Sequence, residues 1–155
     1  MSMVEELSKS QFEYAIGHTI EVGNVYRLHL GDEEDVKEKH TGDSGRNKYI
    51  IILGTSETEM LCGSVLINSE INKGLPQHIK DRHILIKAEN YAFLRGKDRY
   101  VDCSSIKEIS YSKFQKFFER SFKGKMLGSD MDIIISNVID YENAQPKQLK
   151  RFSLI

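Results

Sequence analysis

A change in the spacing of apolar residues near residue 110 constrains the fold of this chain more than any other feature. Before that point, short apolar segments recur with alternating or continuous β-branched patterns, the densest being KYIIILG at 48–54. After it, apolar residues recur three and four positions apart, as they do on one face of a helix. Strands followed by helices are typical of an α+β domain.

Five segments carry strand patterns; Gly23 and Gly31 mark the ends of the first strand, and Gly96 lies in the turn before the last segment. In the first segment, Val25, Arg27 and His29 alternate with Tyr26, Leu28 and Leu30, which predicts a strand with one half-solvated face. Five or six short strands favour a small, mostly antiparallel barrel, because closure removes exposed sheet edges. The five segments are 20–31, 48–54, 60–67, 83–88 and 99–110.

Two C-terminal helices are expected after the strands. The first is predicted around 112–122, where four phenylalanines share one helical face, and the second begins near Ser129 with acids in its first turn. The phenylalanines are Phe114, Phe117, Phe118 and Phe122, and the apolar face of the second helix comprises Met131, Ile134, Ile135, Val138 and Ile139.

The length of 155 residues fits one domain, predicted over 23–145. Residues 1–22 are expected to form an extension with a short helix. Residues 146–155 are expected to form a tail, because Pro146 should end the ordered structure. No apolar run is long enough to span a bilayer, and the first residues lack the apolar core of a signal peptide. Two distant cysteines, Cys62 and Cys103, indicate reduced thiols rather than a disulfide framework or zinc site, so we expect a cytoplasmic protein.

The charge is unevenly distributed although the total is only −1. The first 40 residues contain nine acids and four bases, and the rest contain 14 acids and 18 bases. Six of these bases, clustered between 107 and 125, could track a phosphate backbone or could form an ordinary solvated face. Acids of the front segment could also cover that basic face until a nucleic acid displaces them.

The order of these segments resembles the MazF/PemK family, bacterial toxins with an SH3-like barrel that cleave single-stranded RNA. The likeness is carried by the opening strand 23–28, by Arg46 or Lys48 after a long polar loop, and by the strand 65–69 that ends in Asn68 and Ser69. It is also carried by 100–103, which holds an acid before a polar run, and by Gly-Lys-Met at 124–126.

The resemblance implies an α+β fold with an SH3-like β-barrel and a sequence-selective, metal-independent endoribonuclease without a cofactor. In this reaction the RNA 2′-hydroxyl attacks the neighbouring phosphate, which requires a base, a phosphate-binding cation and an acid. The implied catalytic residues are Arg46, Ser69 and Asp102. The implied RNA-binding residues are Lys48, Asn68, Tyr100, His40 and His29.

The same family resemblance implies single-stranded RNA and a cognate antitoxin protein as partners, a homodimer, and no membrane association. Each residue also has an ordinary interpretation: a solvated cation for Arg46 or Lys48, turn chemistry for Ser69, and a strand-end ion pair for Asp102. The alternative function is therefore a non-catalytic SH3-like barrel that binds protein or nucleic acid.

Overall fold

The computed structural model describes residues 20–36, 45–114 and 121–155. Within these ranges, six strands form one sheet in the order β4-β5-β3-β2-β1-β6, and every pairing is antiparallel. The strands are β1 Asn24–Leu30, β2 Arg46–Ser56, β3 Leu61–Asn68, β4 His83–Ile86, β5 Arg99–Ser110 and β6 Phe122–Lys125. The helices are α1 Gln77–Lys80, α2 Gly128–Asp140 and α3 Pro146–Arg151, accompanied by short 3-10 turns. The predicted α+β class and antiparallel sheet are confirmed, and the sheet is open.

Some predicted features fall outside the described residues: the short helix at 3–15, most of the polar loop including His40, and Phe117 and Phe118. In the described part of the chain, none of the helices has the length and apolar character needed to cross a membrane.

The central strand β2 is buried on both faces, as its run of β-branched residues indicates. Ile50 and Ile52 contribute to one apolar cluster, together with Tyr26 and Phe114. Ile51 and Leu53 point the opposite way, into a second cluster that also contains Met131, Ile134 and Val138 of α2. Since successive strand residues face opposite sides, the sheet separates two cores.

A wide bulge interrupts β5 beside β3. Leu66 pairs with Asp102 and Ser64 pairs with Lys107, so the single residue Val65 faces the four residues 103–106. Bulges of this kind bend a strand and redirect its side chains. The pairing of β3 with β5 is regular on both sides of this bulge, so the bulge alters the surface locally.

The predicted helix near 112–122 is wrong at its C-terminal end. Tyr111–Phe114 forms a 3-10 turn, and Phe122 begins β6, an edge strand paired with β1. Phe114 is fully buried, whereas Phe122 is 46% exposed and makes an edge-to-face contact with Tyr26. Aromatic residues are common in strands as well, so their spacing alone did not separate the two structures.

The chain is ordered beyond Pro146, contrary to the predicted tail. Pro146 lies in the first turn of α3. Proline fits well there, because the backbone N–H that it lacks would have no hydrogen-bond partner within the helix. The following Leu149 and Phe152 are buried. Arg151 bonds both carboxylate oxygens of Glu108 at 2.7 Å, which fixes α3 against β5.

Phe152 packs into a notch made by two glycines of β2 and β3. A Cβ atom placed on Gly63 would lie 2.5 Å from the Phe152 ring, and one on Gly54 would lie 2.3 Å from its carbonyl oxygen. These two positions have no room for a side chain, so glycine is required for the close approach of the C-terminal segment to the sheet.

Candidate functional site

A row of polar side chains crosses the sheet near the start of β2. Tyr49 pairs with Ile67 and Asn68 pairs with Tyr100, which places Lys48, Asn68 and Tyr100 side by side on three adjacent strands. The Lys48 ammonium donates a hydrogen bond of 2.5 Å to Asn68 Oδ1. Arg46 lies two residues before Lys48 and therefore on the same face.

Lys48 is a charged group with little access to water, since only 9% of the residue is exposed. Burial is the main cause that lowers the pKa of Lys48 to about 8; the Arg46 and Arg99 cations act in the same direction, and the Asp102 carboxylate opposes the change. Titratable groups whose pKa is displaced towards neutrality by burial and specific charges are concentrated at functional sites.

Asp102 lies one position further along the same face, opposite Leu66 on one side and His83 on the other. Its Oδ1 accepts hydrogen bonds from the Ser104 amide at 2.9 Å and from the Ser104 hydroxyl at 2.5 Å. Its Oδ2 lies 4.0 Å from His83 Nε2, and its side chain is 19% exposed. Asp102 thus has one oxygen fixed by the bulge and one that faces a histidine.

His83 is the residue of this cluster that the sequence did not reveal. Its side chain is 1% exposed, and its Nδ1 lies 2.9 Å from the Ile79 carbonyl oxygen. A carbonyl only accepts, so Nδ1 carries a proton and Nε2 is directed towards Asp102. His83 begins a short apolar strand, but its pairing with Asp102 depends on a register that the sequence pattern does not fix.

The structure brings together five of the eight predicted site residues on one face: Arg46, Lys48, Asn68, Tyr100 and Asp102. Ser69 is exposed one residue after β3 ends, outside the paired row. His29 pairs with Asn47, and the two side chains are 3.1 Å apart. Because Asn47 and Lys48 are consecutive, His29 faces the other side of the sheet. His40 lies outside the described residues.

Acids of the front segment contact several of the clustered bases. Glu34 is buried, accepts a 2.8 Å hydrogen bond from the Gly31 amide, and lies 3.3 Å from the Lys113 ammonium. Lys125 pairs with Glu21 at 2.5 Å, and Lys107 donates to the Asp35 carbonyl at 3.0 Å. These lysines are therefore engaged by residues 21–35.

Both cysteines are buried and free. Burial and the adjacent Asp102 carboxylate raise the pKa of Cys103 to about 12, and burial also raises the pKa of Cys62. A thiol with a raised pKa holds little of the reactive thiolate at neutral pH. Across the described ranges, no three His, Cys, Asp or Glu side chains are grouped as metal ligands.

No protein-family model matches this chain, and no curated protein is significantly similar to it.

Proposed function

We propose that this protein is a metal-independent endoribonuclease that cleaves single-stranded RNA at the cluster around Lys48 and Asp102. The observation that carries the proposal is the shared face of Arg46, Lys48 and Asp102, which combines two cations with a carboxylate. Transfer of a phosphoryl group through the RNA 2′-hydroxyl requires these two kinds of group close together.

The cations bind the scissile phosphate. Arg46 is half-buried and offers a planar guanidinium that binds two phosphate oxygens. The Lys48 ammonium provides a second positive charge on the same face, and its hydrogen bond to Asn68 holds it in position. Tyr100, half-buried at the end of the same row, provides an aromatic surface on which an unpaired base stacks.

Two proton transfers complete the reaction. Asp102 Oδ2 takes the proton from the 2′-hydroxyl, whose oxygen then bonds to phosphorus. The bond from phosphorus to the 5′-oxygen breaks, and Lys48 gives that oxygen a proton. The products are a 2′,3′-cyclic phosphate and a free 5′-hydroxyl. A pKa of about 8 makes Lys48 a better proton donor at neutral pH than an ordinary lysine.

The remaining parts of the proposal follow from the family resemblance. The sheet belongs to an SH3-like barrel, the protein acts in the cytoplasm as a growth-inhibiting toxin, and a cognate antitoxin blocks the RNA groove. The active form is a homodimer.

Cleavage of a labelled single-stranded RNA in EDTA tests the proposal directly. Wild type should cut the strand and leave cyclic phosphate ends, and Arg46→Ala and Asp102→Asn should each reduce the rate by about a hundredfold or more. Arg95→Ala and Asp132→Asn, which alter exposed residues elsewhere, are the matched controls and should cut at the wild-type rate.

Equal rates in all four variants would contradict the proposed site. Wild-type protein that binds the strand without cutting it would favour the alternative of a non-catalytic binding module. Growth inhibition on expression, relieved by Asp102→Asn, tests the toxin role separately.

A further inference from the structure

The bulge in β5 forms one wall of a polar cavity of about 250 Å³. All four bulge residues, 103–106, line this cavity, and its opposite wall is the end of α2 and the segment leading into α3. The cavity shares one residue with the candidate site, because Ser104 lines the cavity and also donates hydrogen bonds to Asp102 Oδ1.

The lining is rich in uncharged hydrogen-bonding groups. Three carboxamides face it from Asn143, Gln145 and Gln148, and hydroxyl groups come from Ser104, Ser105 and Tyr141. Ile106 and Val138 supply apolar surface. Among the described residues, the lining contains no Lys or Arg, and it includes the acidic Asp35. This chemistry disfavours an anion and suits a neutral ligand that carries several hydrogen-bonding groups.

Two of the carboxamides differ in how firmly they are held. Gln148 Nε2 donates to the Ile106 carbonyl at 3.1 Å and to Glu108 at 2.9 Å, so its position is fixed. Asn143 is exposed at the rim and donates to the Tyr141 hydroxyl at 3.2 Å. One half-buried carboxamide that is fixed and one exposed carboxamide that can adapt are a suitable pair for hydrogen bonding to the edge of a base.

We propose that this cavity binds one unpaired nucleobase of the RNA strand and gives the enzyme its base preference. The inference rests on the proposed function, because it takes the bound base to belong to the RNA strand that is cut at the candidate site. Carboxamide side chains form paired hydrogen bonds with base edges, and single-stranded RNA presents those edges without competition from pairing. The bulge couples the two sites, since its first residues fix both Asp102 and the cavity wall.

Binding of a strand that cannot be cleaved tests the base pocket without relying on catalysis. The probe is a 2′-deoxy strand of about ten abasic positions carrying one A, C, G or T, with affinity measured by fluorescence anisotropy. Wild type should prefer one base over the abasic strand by about tenfold. Ser105→Leu, which fills the cavity, and Asn143→Ala should remove that preference, whereas Asn90→Ala, at an exposed turn elsewhere, should retain it.

The outcomes separate the two proposals. Arg46→Ala should lower affinity for every probe equally, because phosphate contacts do not distinguish bases. No base preference in wild type, or a preference unchanged in both Ser105→Leu and Asn143→Ala, would overturn the pocket. Asn143→Ala alone decides the question if Ser105→Leu does not fold. A base preference without RNA cleavage in EDTA would refute the nuclease and leave the pocket standing.

Discussion

Replacing Lys48 with methionine should make the protein more stable at neutral pH while abolishing the proposed activity. The pKa of Lys48 falls from its ordinary value of 10.5 to about 8 in the folded chain. Each pKa unit corresponds to about 1.4 kcal/mol, so holding the protonated lysine in place costs about 3 kcal/mol of folding free energy. Methionine has a similar length and carries no charge to bury.

The gain is smaller than this cost because the lysine also makes a useful contact. Lys48→Met leaves Asn68 Oδ1 without its donor, a loss of about 1–2 kcal/mol at a half-buried position. The net expectation is an increase of about 1–2 kcal/mol in the free energy of unfolding at pH 7.

The stability difference between Lys48→Met and wild type should depend on pH. Between about pH 8 and pH 10.5 the unfolded lysine is protonated and the folded one is not, so wild-type stability rises with pH in that range. The advantage of Lys48→Met should therefore shrink by about 1 kcal/mol between pH 8 and pH 9.

Urea unfolding at several pH values measures both effects. Lys97→Met, at an exposed position, is the matched control and should change stability by less than about 0.5 kcal/mol at every pH. Reduced stability of Lys48→Met at pH 7, or a difference from wild type that does not vary with pH, would refute the argument that burial sets the lysine pKa.

Three further predictions concern the packing and the site. Gly63→Ala should cost about 1–3 kcal/mol in urea unfolding because its Cβ meets the Phe152 ring, whereas Gly74→Ala, in an open turn, should cost much less. Glu34→Gln keeps an acceptor for the Gly31 amide but loses the ion pair with Lys113; it should cost about 1 kcal/mol, and less in about 1 M salt, by the same measurement. His83→Phe should lower kcat for RNA cleavage by about tenfold with little change in KM, because the buried imidazole that faces Asp102 Oδ2 at 4.0 Å does not reach the substrate.

The strands were largely predictable because their side chains follow local periods. The alternation around Tyr26 and the β-branched run at 50–52 each specify a strand and its buried face without reference to any distant residue. Phe122 was misassigned because its environment is set by β1, almost a hundred residues earlier. Pro146 is predicted to end the ordered structure, but it begins α3. Proline is common both just after a helix ends and in the first turn of a helix, so the residue alone does not distinguish the two.

The candidate site depended on information that local patterns do not contain. Arg46, Lys48 and Asp102 were singled out through resemblance, and their shared face follows from the pairing of β2, β3 and β5. The contribution of His83 depends on register, and a shift of one residue would have turned it to the opposite side. The cavity beside Asp102 depends on the bulge at 103–106, which nothing in its sequence distinguishes from an ordinary strand.

The notch that receives Phe152 also sets an order of events during synthesis. Gly54 and Gly63 leave the ribosome roughly ninety residues before Phe152, which corresponds to about 5–20 s of translation. During that interval, β2 and β3 lack the C-terminal segment that packs against them. Nascent chains arrested before Phe152 should therefore remain sensitive to protease and bind chaperones, whereas the chain released with Phe152 should do neither.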